Sequence, residues 1–148
     1  MADIPHLVGA IRDHLLDSPN LVALLGSRIA DGQAGRDDVL PYLVLEVKDA
    51  NYLRLLGGKE VAFIVVHLAV FAAGRSTAES IGAEVRDLIL PPDDIPTWSP
   101  LGIADGWRDV NRQPAGGDSI EIDPEIRAAY GRDVWCCKRP ITWTLARG

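Results

Sequence analysis

Between Val61 and Phe71 alternate positions are apolar on both sides, with Val61, Phe63, Val65 and Phe71 on one and Ala62, Ile64, Val66, Leu68 and Val70 on the other. Period-two alternation makes this a strand, and a strand apolar on both faces has to be covered twice. A helix of the same chain can cover one face; a neighbouring subunit is a candidate for the other. The apolar run to Ala73 is interrupted by His67 and falls short of the ~18–20 residues that cross a bilayer, so no membrane segment is expected.

The elements around this strand follow from local patterns. Asp3 as a cap, followed by Ile4, Leu7, Val8, Ile11 and Leu15, predicts an amphipathic helix ending near Asp17. Ser18-Pro19 caps a second, short helix through Leu25, which Gly26 stops. Leu40 to Val47 is rich in β-formers and predicts a strand. Ser76 with Glu79 three residues on has capping-box spacing, and Ala78, Ile81, Val85, Leu88 and Ile89 trace one helical face up to Pro91-Pro92.

Residues 91–133 are rich in Pro, Gly and Asp and read as loop, apart from a strand-like piece at Trp107–Val110 and a helical turn at Pro124–Ala129. Val134 to Leu145 predicts a last strand with Trp135, Cys137, Ile141, Trp143 and Leu145 on one face and Lys138, Thr142 and Thr144 on the other. Pro140 marks an edge or a bulge in it. The expected fold is α+β: a small antiparallel or mixed sheet packed against an N-terminal helix and a central amphipathic helix. With 148 residues and no internal repeat, one domain over 1–148 is expected, its region 91–133 loop-rich.

Composition excludes several functions. A net charge of −6 argues against a general phosphate-gripping surface, since affinity for nucleic acid comes from clustered Lys and Arg. The start Met-Ala-Asp-Ile-Pro-His lacks the pattern of a secretory signal, which predicts assembly in the cytoplasm. Cys136 and Cys137 are adjacent and point to opposite faces of a strand, so they serve neither a mutual disulfide nor one metal ion.

No catalytic, metal or cofactor constellation stands out. Gly74-Arg75-Ser76-Thr77-Ala78 departs from the nucleophile elbow of esterases in its last residue, and Ser76 is better used as a helix cap. Gly57-Gly58-Lys59-Glu60 has a glycine–lysine pair, but Leu53 and Glu60 occupy the places where a phosphate loop needs Gly and Ser or Thr. His6, His14 and His67 have no metal-ligand spacing, and the doublets Asp37-Asp38 and Asp93-Asp94 read as solvated turns.

One segment points to contact rather than chemistry. Tyr52, Leu53, Leu55 and Leu56 stand around Arg54 in the connection between the first two predicted strands, and four large apolar residues in a connection need cover. A partner supplies it, or the segment extends the hairpin strands and packs on its own core.

The segments Asn20-Leu21-Val22-Ala23-Leu24-Leu25-Gly26-Ser27-Arg28-Ile29, Leu40-Pro41-Tyr42-Leu43-Val44-Leu45, and the strand followed by Gly74-Arg75-Ser76-Thr77-Ala78-Glu79 resemble the tail-completion proteins of long-tailed bacteriophages, also called tail terminators or head-to-tail joining proteins. The resemblance runs from about Ile4 to Leu90 and includes the final strand. It implies a non-enzymatic virion protein of the tail or neck. Such a protein forms a homo-oligomer, a hexameric ring, on the head-proximal end of the tail tube. Its partners are then the tail tube protein and a head connector or head-closure protein, with DNA only as cargo passing through the channel. A head-closure adaptor is the alternative, disfavoured by the helix at Thr77–Leu90; a small serine esterase using Ser76 is more remote.

Overall fold

In the computed structural model, residues 6–32, 39–90 and 100–148 are described. The predicted cap Asp3 and both aspartate doublets lie outside them. Helices α1 (His6–Leu16) and α2 (Pro19–Leu25) precede strands β1 (Ile29–Asp31), β2 (Tyr42–Arg54) and β3 (Glu60–Ala72); then come α3 (Arg75–Ile89), β4 (Arg108–Pro114), β5 (Ser119–Ile122), α4 (Pro124–Tyr130) and β6 (Trp135–Arg147). The fold class is α+β, as expected, with a mixed sheet of six strands. Its order is β1-β2-β3-β6-β4, with β5 also on β6. Among the described residues no helix is long and apolar enough to cross a membrane.

The short helix α2 forms as its sequence demands. The Ser18 side chain accepts from the Leu21 N–H, Pro19 sits in the first turn, and Gly26 ends the helix at φ 60°. The start of α3 differs from expectation. Gly74, not Ser76, is the capping residue: its carbonyl accepts the first helical bond from Ala78 N, and no side chain caps the helix. The helix begins one residue before Ser76, and Glu79 pairs with Arg75 one turn earlier, at 3.1 Å, an exposed i,i+4 ion pair, rather than serving a capping box. Ser76 is left exposed in the first turn.

One face of the sheet lies under α1 and α3. The core joins Leu7, Ile11 and Leu15 of α1 and Ile81, Val85 and Ile89 of α3 to Leu43, Leu45, Ile64, Val66, Leu68, Val70, Ile141, Trp143 and Leu145. Gly82 lets α3 come close: a Cβ there would stand 2.6 Å from Cys137 Sγ. Cys137 faces this core and Cys136 the other face, and both thiols are free and buried.

Two strands were not anticipated. β1 is a three-residue strand parallel to β2, with Ile29 opposite Leu43, and β5 pairs with the first residues of β6. β5 and β4 together line the second edge of β6 and make it an interior strand, so Pro140 marks no edge. Its carbonyl accepts from Ala115 N in the connection between β4 and β5. The missing proline N–H would point at that same connection, where no ladder bond is lost.

Candidate docking surface

Two of the long strands form one hairpin. β2 and β3 run antiparallel from the pair Tyr42–Phe71 to the pair Arg54–Glu60, with a bulge at Lys48. The tip is closed by Leu55 N donating to Lys59 O at 2.7 Å. Gly57 and Gly58 follow at φ 85° and 82°, a left-handed pair that side chains rarely adopt. The glycine–lysine segment is therefore a turn, as its composition suggests.

The hairpin is longer than the sequence patterns indicate. Tyr52, Leu53 and Arg54 are strand residues, and only Leu55 and Leu56 lie in the turn. Strand alternation then separates the four candidate contact residues. Tyr52 is opposite Ala62 on the helix-covered face, where its ring meets Trp107 edge-on with centroids 6.4 Å apart. It packs against the core of its own chain.

Leu53 points the other way, opposite Val61, and shares the open face with Phe63. Leu53, Leu55 and Phe63 are exposed and Leu56 is 99% exposed, while Val61 and Val65 are half-buried. This face is covered at its far end, where Tyr42 stacks on Phe71 and Val44, Ala69 and Cys136 are buried. Toward the hairpin tip it opens into an apolar patch of Leu53, Leu55, Leu56, Val61 and Phe63. Phe63 and Val61 join the patch through cross-strand register, which spacing within one strand does not reveal.

Charge gathers beside the patch. Glu60 accepts from Arg147 at 2.6 Å and from Arg54 at 3.4 Å. The hydrogen bond from Arg147, with the positive charges of both arginines, holds the Glu60 carboxyl below its usual range. Arg147 also lies over the Trp107 ring, 4.5 Å from its centroid. A recess of about 200 Å³ between these groups is lined by Tyr52, Leu53, Arg54, Glu60 and Arg147.

Midway along the open face sits His67, opposite Glu46 and Pro140. Its Nδ1 is buried without a partner. Burial first, and then the charges of Lys138 and Lys48, push its pKa down, with Glu46 opposing.

Among the described residues the chemistry-bearing side chains do not converge. Ser76 is in the first turn of α3, His14 contacts the Leu88 carbonyl at the other end of that helix, and His67 is on the opposite face of the sheet. Among the described residues no group of three or more His, Cys, Asp or Glu could hold a metal ion.

A solved structure described as the virion of a native gene transfer agent (GTA) particle contains a chain of the same fold. The TM-score is 0.72 at 19% identity, covering 96% of this chain and 95% of that one. No curated protein matches the sequence. The model of the family "Tail completion protein gp17" matches residues 9–95, which run from within α1 to beyond α3 and so include the whole hairpin. With more than half of its length matched, the chain belongs to the tail completion protein gp17 family and is a structural protein of the bacteriophage virion, with its place in the tail.

Proposed function

We propose that the protein assembles as a hexameric ring on the head-proximal end of the tail tube, ends tube polymerisation there, and joins the tail to a head connector or head-closure protein. The observation that carries this reading is the apolar patch of Leu53, Leu55, Leu56, Val61 and Phe63, which the chain's own helices leave uncovered. Membership of the tail-completion family supports the location, and the scattered Ser76, His14 and His67 support a role without catalysis. A net charge of −6 on each copy gives a ring the sign that repels DNA, which suits a channel for passing cargo better than a gripping surface. The domain is taken as one unit over residues 1–148.

The test is the double substitution Leu55→Asp and Leu56→Asp. Both residues lie in an exposed turn, so circular dichroism should show a folded chain. Burying an unpaired charge in a contact costs several kcal/mol, so assembly should fail. Complementation of a terminator-deficient phage would then give overlong tails that do not join heads. A folded variant that yields normal tails and infectious particles overturns the contact.

A further inference from the structure

A second exposed apolar site lies far from the hairpin tip. On α2, Leu21 and Leu25 are buried, and Val22 and Leu24 stand exposed on opposite flanks of that buried stripe, Leu24 the more open of the two. α2 leads into β1, which pairs with Leu43–Leu45 at the start of β2, whereas the hairpin tip follows Arg54 at its end. At ~3.3 Å per residue the two patches are separated by roughly 35 Å of strand.

The surroundings of the two patches have opposite sign. Arg54, Lys59, Arg108 and Arg147 stand at the hairpin end, where Glu60 is shared by two of them and Asp105 is the nearby exposed carboxylate. Among the described residues Lys59 and Arg108 have no ion-pair partner. Beside α2, Asp13, Asp17 and Asp31 are exposed and likewise unpaired. Arg12 and Arg28 lie nearby and offset part of this charge, but they hydrogen-bond the Ile29 and Pro41 carbonyls and form no ion pair with these carboxylates, which leaves the balance negative.

Edge-to-edge pairing of sheets is opposed by the strands themselves. The outer edge of β2 carries a bulge at Lys48 between Glu46 and Asp49, and β4 has one at Val110.

We propose that the hairpin end of one copy docks on the α2 turn of the next copy. Leu53, Leu55 and Leu56 pack against the Leu24 flank of α2, and Lys59 and Arg108 face Asp13, Asp17 and Asp31. The two patches are different surfaces of one chain, so the contact is head-to-tail, the kind that closes into a ring. This rests on the ring reading above and names the surface that receives the hairpin.

Two blocked variants of the full chain test it by sedimentation velocity, with and without tail tubes. Leu56→Asp closes the hairpin side and Leu24→Asp the α2 side. Each, folded by circular dichroism, should stay monomeric where the parent assembles. Their equimolar mixture should form a heterodimer, since one intact hairpin and one intact α2 turn remain. The exposed pair gives a second arm: Lys59→Glu and Asp17→Lys should each weaken assembly about tenfold, and the two in one chain should restore it. A Leu24→Asp chain that assembles like the parent, a mixture that stays monomeric, or no rescue by the charge swap overturns the α2 assignment while the ring stands. A parent that stays monomeric even on tail tubes overturns the ring reading and this inference together.

Discussion

Asp109 and Arg112 form an ion pair at 2.7 Å with side chains 0% and 2% exposed. In a regular strand residues three apart point to opposite faces, but the bulge at Val110 turns both toward the helix-covered side, opposite Leu145 and Trp143. The pair ties three segments together. Asp109 Oδ2 also accepts from Leu101 N at 3.1 Å, and Arg112 Nη1 donates to the Ile89 carbonyl at 2.8 Å. That carbonyl belongs to the last turn of α3, where backbone acceptors lack helical partners and a cation opposes the helix dipole.

Asp109→Ala strands the Arg112 charge in the interior and should cost about 3–5 kcal/mol, read as a lowered urea midpoint. The double replacement Asp109→Leu with Arg112→Met removes both charges and should cost less than the single change. Equal losses would show that the pair acts through packing alone.

Gly82→Ala places a methyl group 2.6 Å from Cys137 Sγ, between a helix and a strand that hold each other by packing. Overpacking of this kind costs about 1–3 kcal/mol. Cys137→Ala in the same chain removes the obstructing sulfur, so the double variant should recover part of the loss of Gly82→Ala. Thermal melts of the four chains give the coupling directly. Additive losses would mean that α3 shifts rather than clashes.

His67 is harder to protonate in the fold than its ordinary value of 6.5, because burial and the charges of Lys138 and Lys48 disfavour the cation. A depressed folded pKa means that the unfolded chain takes up the proton first. Stability from this group is thus complete above pH 6.5 and falls as the pH drops below it, toward the folded pKa. Glu60, held below its usual 4.5, acts in the same direction but in a more acid range. Melting temperatures between neutral and mildly acid pH should decline less for His67→Gln than for the parent. Identical slopes would place the titration elsewhere.

The face assignments of β3 and β6 were legible from alternation because burial on one side is a period-two constraint that each strand carries alone. The same holds for α2, whose Ser18, Pro19 and Gly26 act within a few residues of themselves. Ser76 was misplaced as a cap because two local solutions competed, and the ion pair of Arg75 with Glu79 belongs to the helix that starts earlier. The exposed apolar patch was half legible: Leu53, Leu55 and Leu56 stood out as apolar, whereas Tyr52 stood out equally and packs inward against Trp107.

Sequence alone thus determined the strand that is apolar on both faces, the caps and turns, the buried thiols and the negative charge, since each is a property of neighbouring residues. Tertiary structure decided the remainder. Pairing of β4 and β5 with β6 put β6 and Pro140 inside the sheet, the bulge at Val110 joined Asp109 to Arg112, and hairpin register set Leu53 beside Val61. These relations depend on which distant residues come opposite each other, and that is fixed by packing the whole sheet against its helices rather than by any local preference.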